Sequence, residues 1–269
     1  MLVIVKGAGD LASGAALRLC HAGFDVAMTE IPAPLAVRRT VAFSQAVYEG
    51  RTRVEDITAV LVKDEGEMRA AFGRKQIAVF VDPGAVIVRR LRPPVLVDAI
   101  MAKKNTGTAM DDAPAVICLG PGFTAGLDCH AVIETMRGHT LGRVLTEGSA
   151  LPNTGVPGDI AGFSSERLLR AGAGGVFEPL LEIGDRARKG EEVAGVRSAD
   201  SFVPIRAEID GIVRGLLPAG IGVTRGMKAG DIDPRCERSH CFTVSDKALA
   251  IAGGVLEAIL RFSPSEGNF

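Results

Sequence analysis

The stretch Gly7-Ala8-Gly9-Asp10-Leu11-Ala12 constrains this chain more than any other, because it follows the apolar run Leu2-Val3-Ile4-Val5 and opens a helix-like run from Leu11 to Ala22. A strand, a glycine turn and a helix start in that order predict a βαβ unit. Glycines at such a turn let the backbone bend tightly and approach a pyrophosphate, whose charge is stabilised by unpaired amides at the helix N-terminus. The next apolar run, Phe24 to Met28, leads to Glu30, about 20 residues past the loop, where a ribose-binding carboxylate is expected. Lys6, Gly7, Ala8, Gly9, Asp10, Leu11, Ala12 and Glu30 are therefore candidate ligand-binding residues, the alternative being a βαβ start with no ligand. Asp10 cuts across the phosphate reading. In the first helical turn it gains about 1 kcal/mol from capping and the dipole but repels an anion. Displaced phosphates, or a cation such as Mg²⁺ or Lys6 between the charges, would reconcile the two.

Apolar strands and amphipathic stretches keep alternating: Ile57 to Val62, a helical Asp64 to Phe72 closed by Gly73, Ile77 to Val81, then Val95 to Val97. That alternation predicts an α/β fold with a Rossmann-like, doubly wound parallel sheet. Two strands run into an acid, Asp82 and Asp98, and carboxyl ends of strands line the ligand crevice in open α/β sheets. Both acids are candidate binding residues, with helix capping as the alternative, the favoured one for Asp82 before Pro83. A second glycine-rich junction, Gly120-Pro121-Gly122 to Gly126, follows the strand Ala115 to Leu119 and leads into a helical Cys129 to Arg137. Gly120 and Gly122 are candidates for a second end of a dinucleotide-like ligand. On that helix His130 and Glu134 would share a face, as a metal pair, a base with its orienting carboxylate, or a plain surface hydrogen bond. Pro152-Asn153-Thr154-Gly155 reads as a shaped loop.

From Gly175 the period changes. Leu181-Glu182-Ile183-Gly184 with Gly190 recurs as Leu217-Pro218-Ala219-Gly220 with Gly226. Two short-strand halves of that kind resemble the biotinyl or lipoyl carrier fold, a barrel-sandwich hybrid. The hairpin Arg197-Ser198-Ala199-Asp200-Ser201-Phe202 lacks the lysine a carrier needs, so a docking or covering module is expected instead. Ser245 caps a final apolar helix running through Ile251 to Leu260, whose apolar face should pack back on the core, and Ser263 to Phe269 should fray. The expected domains are residues 1–172, 173–235 and 236–269.

At 269 residues and a net charge of -1, with no basic block, the chain has no clustered positive face for nucleic acid. No apolar run approaches the roughly 20 residues that cross a bilayer, and the first run ends in a glycine loop rather than a cleavage site, so a cytoplasmic protein is expected. Five cysteines without a repeated spacing do not form a disulfide framework. Cys236 and Cys241 lack the spacing of a structural zinc site. Cys241, with a lowered thiol pKa, would be a sulfur or selenium acceptor, against the plainer reading of a small buried hydrophobe.

The combination Lys6-Gly7-Ala8-Gly9-Asp10-Leu11-Ala12, Met28-Thr29-Glu30, Arg38-Arg39 and Val41-Ala42-Phe43-Ser44 resembles the YqeB-type accessory proteins of selenium-dependent molybdenum hydroxylases, whose Rossmann part is XdhC-like. Val97 to Lys104, Gly120 to Phe123, Pro152 to Gly155 and Ile232-Asp233-Pro234-Arg235 agree. The resemblance implies a maturation factor that handles a molybdopterin-type cofactor or its cytosine dinucleotide during chalcogen insertion or delivery. Its implied partners are an apo molybdenum hydroxylase and chalcogen-transfer proteins. Arg38, Arg39, Lys103 or Lys104 would then neutralise phosphate, and Cys241 would take part in chalcogen transfer, with His130 and Glu134 the further catalytic candidates. Two other functions stay open: an NAD(P)-dependent oxidoreductase and a non-enzymatic scaffold. A homo-oligomer is compatible with all three.

Overall fold

The structure, a computed structural model, describes residues 1–199 and 201–262. The expected fraying of 263–269 and the Asp200 position of the expected hairpin lie outside the described residues. Chain contacts group into two compact units, one of residues 1–34, 42–154 and 244–269, the other of residues 35–41 and 155–243.

The larger unit begins as strand β1 (Leu2–Lys6), helix α1 (Asp10–His21) and strand β2 (Asp25–Glu30). A short α2 (Ala46–Glu49) leads to a hairpin of β3 (Arg51–Val54) and β4 (Ile57–Leu61). Helix α3 (Glu65–Gly73) starts where Asp64 accepts a hydrogen bond from the Glu67 amide, and is followed by β5 (Ile77–Val81), α4 (Val86–Leu91) and β6 (Val95–Asp98). Then come β7 (Ala115–Leu119), β8 (Thr124–Ala125), β9 (Ala131–Ile133), β10 (Val144–Leu145) and β11 (Gly148–Ser149). Nine of these strands form one sheet in the order β10-β9-β7-β6-β1-β2-β5-β4-β3, parallel from β9 to β4 and antiparallel at both margins. The strands in the middle are apolar along their length because both faces are covered, as in Val3-Ile4-Val5 and Val95-Leu96-Val97.

The doubly wound parallel sheet expected from the sequence is corrected to a mixed α/β sheet. A doubly wound fold needs a helix in each crossover, and among the described residues β6 passes to β7 through a single 3₁₀ turn at Met110–Asp112, and β7 to β9 without a helix. The helix expected over Cys129 to Arg137 is strand β9 instead. Its Ala131-Val132-Ile133 core is fully buried and hydrogen-bonded beside β7. Helical propensity in the flanking Glu134, Met136 and Arg137 gave way to burial of a β-branched run.

The last helix of this unit, α5 (Asp246–Phe262), comes from the far end of the chain and packs on α1. Ser245 caps it by accepting the Ala248 amide. Its buried face runs Ala248, Ile251, Ala252, Val255, Ala258, Ile259, a three-and-four spacing that matches one side of a helix. The approach is close. A Cβ on Gly14 would stand 2.8 Å from the Ala248 methyl, and one on Gly254 would stand 2.2 Å from the Gly142 carbonyl oxygen. Gly254→Val is accordingly expected to cost about 3 kcal/mol by overpacking. Gly253→Ala, with nothing within 4 Å of the added atom, should be neutral or stabilising by up to about 1 kcal/mol. Urea unfolding of the two variants measures the difference.

The second unit contains β12 (Leu168–Arg170), β13 (Gly175–Pro179), β14 (Arg186–Ala187), β15 (Glu192–Arg197), β16 (Phe202–Arg206), β17 (Gly211–Leu216), β18 (Gly222–Val223) and β19 (Lys228–Asp233). They make two four-stranded antiparallel sheets, β12-β19-β17-β14 and β16-β15-β13-β18. Their core includes Leu169, Phe177, Val193, Val196, Ile212, Val213, Leu216 and Ile232. The repeat seen in the sequence marks two left-handed turn pairs, Gly184 with Gly190 and Gly220 with Gly226, all at positive φ. The carrier-like barrel-sandwich module is corrected to this pair of sheets, which also draws in β12 and residues 35–41.

Candidate functional site

Lys6, Gly7, Glu30 and Asp98 all sit at the carboxyl ends of β1, β2 and β6, three neighbouring parallel strands, so the parallel register brings them together. What they do there differs from a nucleotide cradle. Glu30 accepts from the Ala8 amide at 2.9 Å through one oxygen and from the Ile31 amide at 2.8 Å through the other. The loop amide and the acid that a pyrophosphate and a ribose would use are thus bonded to each other. The Ala8 carbonyl takes the Ser44 amide and the Ser13 hydroxyl, and Ser13 Oγ in turn accepts from Phe43 N, so the turn is locked on both sides. Gly7 adopts φ +89°, and a Cβ there would meet the Ala99 carbonyl oxygen at 3.1 Å. Its glycine is required by the neighbouring backbone. Gly9 differs, with nothing within 4 Å of a Cβ and an extended φ of -71° ahead of α1. Leu11 is half-buried and Ala12 is buried in the first turns of α1.

Lys6 and Asp98 form a buried polar lock. Lys6 Nζ donates to Thr108 Oγ1, Thr108 Oγ1 donates to Asp98 Oδ2 at 2.6 Å, and Lys6 Nζ lies 3.3 Å from the same oxygen. Asp98 Oδ1 accepts the Ile100 amide at 3.1 Å. The three side chains satisfy one another and tie the 99–108 loop to the sheet. Asp82 accepts the Ile87 amide at 2.9 Å, the capping role.

The second glycine junction is filled by protein. A Cβ on Gly120 would lie 2.5 Å from Thr135 Oγ1, and one on Gly122 would lie 2.5 Å from the Lys104 amide nitrogen, with both glycines at positive φ. Lys103 is exposed at φ +63° in the loop that Gly122 packs against. His130 and Glu134 flank β9, where four residues span about 13 Å rather than one helical turn. They are also separately engaged. His130 Nδ1 accepts from the Val116 amide at 3.0 Å, and the buried Glu134 accepts the Met136 and Leu151 amides at 2.7 and 2.9 Å. Arg38, Arg39 and Cys241 belong to the second unit. There Arg39 Nε donates to the Leu216 carbonyl at 2.8 Å. Cys241 is fully buried, its thiol facing the Val213 carbonyl at 3.6 Å, and burial pushes that thiol's pKa up, with Asp233 adding to it. The lowered pKa expected of a chalcogen acceptor is thereby reversed. Among the described residues no group of three or more His, Cys, Asp or Glu side chains could hold a metal ion, and no helix is long and apolar enough to cross a membrane.

The group that sequence reasoning missed at this edge is Lys247. It is half-buried in the first turn of α5, and among the described residues its ammonium has no hydrogen-bond or ion-pair partner. Burial holds its pKa below the ordinary lysine range. The Arg137 charge pushes the same way, and Asp10, Glu134 and Asp246 oppose it. Arg137 itself is bound by Asp246 at 2.9 and 3.1 Å, and Glu134 is spent on backbone amides. A cation in the first turn opposes the helix dipole, a sequence signal that something other than helix stability placed it there.

No family model matches the chain. It is 50% identical over 259 residues to a protein of Escherichia coli (strain K12) described as "Uncharacterized protein YqeB", a match that takes in 96% of this chain and 47% of the relative. The chain therefore spans about half the length of that curated relative. Among solved structures, a succinylglutamate desuccinylase/aspartoacylase from Rhodobacter sphaeroides is 26% identical over 25% of this chain and 22% of its own, with a TM-score of 0.23. An aspartoacylase family protein from Mesorhizobium loti is 13% identical, covering 86% of this chain and 84% of its own, with a TM-score of 0.28. Scores of that size assign this chain neither fold nor activity.

The sheet and the curated relative's description correct the resemblance read from the sequence. The XdhC-like Rossmann part is overturned by the sheet itself, whose β6–β7 and β7–β9 crossovers carry no α-helix among the described residues, and the curated relative's description assigns it no activity. The XdhC-like Rossmann assignment, the maturation of a selenium-dependent molybdenum hydroxylase, and the NAD(P)-dependent oxidoreductase and scaffold alternatives are accordingly set aside.

Proposed function

We propose that the carboxyl edge of the nine-stranded sheet is a ligand-binding face, and that it takes an anionic group of a small molecule on the Lys247 ammonium. The observation that carries this is an ammonium without a partner, half-buried near Asp10 and Glu134 where the β1–α1 turn, the end of β9 and the start of α5 converge. Open α/β sheets bind ligands at that edge. A cation kept partly desolvated and unpaired is destabilising on its own, so an anion that completes it adds binding energy that a solvated lysine would not supply. The open space at Gly9 gives room beside the same turn.

The test is isothermal titration of the full chain with a panel of small carboxylates and phosphates. NAD(P) and a molybdopterin-type cofactor, the two cofactor expectations of the sequence, belong in the same panel. Lys247→Met should weaken the responding ligand at least tenfold. Because the lysine's pKa is lowered, the ammonium loses its proton at a pH below that of an ordinary lysine, and affinity should fall as pH rises through that range. Lys247→Arg should keep affinity to higher pH. A ligand bound equally by Lys247→Met, or a flat pH profile, would overturn the reading.

A further inference from the structure

A second charged cluster lies wholly within the smaller unit. Asp233, at the end of β19, is fully buried, and both of its oxygens accept from the Arg235 guanidinium, at 2.9 and 2.6 Å, with the Arg235 amide adding a third bond at 3.1 Å. One partner therefore supplies three bonds to the carboxylate. Arg214 stands in β17, the neighbouring strand, and is only 7% exposed. Its Nε lies 3.6 Å from Asp233 Oδ2, too far for a hydrogen bond, and donates weakly to the His240 carbonyl at 3.4 Å. Among the described residues its terminal nitrogens Nη1 and Nη2 have no hydrogen-bond partner.

Another buried arginine of the same unit shows what completion looks like. Arg167 spends Nε on the Phe163 carbonyl, Nη2 on the Gly158 carbonyl and Nη1 on Asp231 at 3.0 Å. Arg214 has the burial of Arg167 without those acceptors. An arginine keeps its charge in proteins, so the missing acceptors cannot be replaced by deprotonation, and an incompletely paired buried charge is costly. Burial and the nearby Arg38 charge pull the Arg214 pKa down against the opposing pull of Asp233 and Asp231, as expected for a cation short of counter-charge.

His240 completes the arrangement. Its Nδ1 is a buried atom with no hydrogen-bond partner, 3.9 Å from Asp233 Oδ2. The rest of its side chain is 36% exposed, as is much of Arg235, so the cluster opens to solvent. Arg38 fixes the His240 backbone from the other side, donating to the His240 and Thr243 carbonyls at 3.2 Å.

We propose that Arg214 and His240 bind an oxyanion, the carboxylate or phosphoryl group of a small metabolite, with the planar Arg214 fork taking two oxygens and His240 Nδ1–H a third contact. A guanidinium matches both oxyanions in bidentate geometry, which a lysine ammonium does not. The substitution Arg214→Lys therefore separates recognition by shape from simple attraction of charge.

The experiment follows the thermal midpoint of the full chain in sodium phosphate and in sodium succinate, each against sodium chloride at equal ionic strength. A saturable rise with phosphate alone identifies a phosphoryl ligand, one with succinate alone a carboxylate, and either supports the site. Arg214→Lys should weaken the response at least tenfold and His240→Phe several-fold, with circular dichroism confirming the fold of each. No saturable response to either anion, or wild-type affinity in Arg214→Lys, overturns the proposal. If Arg214→Lys does not fold, His240→Phe decides: weakened binding supports the site and unchanged binding overturns it.

Discussion

Asp98→Ala should destabilise the larger unit by about 3–5 kcal/mol, the cost of breaking a buried ion pair by removing one partner. The size follows from what is left behind. Lys6, only 8% exposed, would lose the carboxylate 3.3 Å away, and Thr108 would lose the acceptor of its hydroxyl. The Ile100 amide would lose its side-chain acceptor as well. Urea unfolding at neutral pH measures the loss. Thr108→Val, which removes the bridging hydroxyl while leaving both charges, should cost about 1–3 kcal/mol. Lys6→Met combined with Asp98→Leu should recover much of the single-variant loss, because an apolar pair no longer pays for burying charge. A single-variant cost under 1 kcal/mol would mean that the lock contributes little.

Asp233→Ala should be comparably severe, again about 3–5 kcal/mol, because Arg235 loses two side-chain bonds and one amide bond to the carboxylate and Arg214 loses its nearest negative charge. Burial raises the Asp233 carboxyl, but the Arg235 side-chain and backbone hydrogen bonds outweigh it, and the pKa lies below the ordinary carboxylate range. A carboxylate with a depressed folded pKa contributes stability above its unfolded pKa and loses it as pH falls through the folded value. The stability of the wild-type chain should therefore drop on acidification below about pH 4. In Asp233→Ala that drop should be shallower, the variant having already lost the contribution. Denaturant unfolding at neutral pH and near pH 3 compares the two slopes.

Some of this was legible in the sequence. The first strand, glycine turn and helix stand where the pattern put them, and Gly7 needs its positive φ for the turn. Asp64 caps α3, Asp82 caps α4 and Ser245 caps α5, each a local decision written in a few neighbouring residues. The course of β9 was not legible, because a three-residue strand is too short for a period to show and its flanks favour helix. Nor was the role of Glu30. Its position predicted a ligand contact, whereas its carboxylate closes the loop on itself, a choice set by tertiary distance alone.

Arg214 and Lys247 carried weak signals of their own. Arg214 interrupts the apolar strand Gly211-Ile212-Val213, where a charge has no cheap place to go. Lys247 opens a helix at its positive end. Each is a residue that local rules disfavour, and each stands where the structure leaves a cation incompletely paired. The absence of any partner close in sequence is what hid them, since the groups around them come from strands and turns far along the chain.

Helix α5 has a consequence for how the molecule comes to exist. The face of α1 that holds Gly14 packs on Val244 and Ala248, so during synthesis the first helix emerges long before its mate. The larger unit cannot close until residues 244–262 have been made, by which point every segment of the smaller one is already out. A chain halted before residue 244 would carry an uncovered seam of small residues, a substrate for chaperones and proteases.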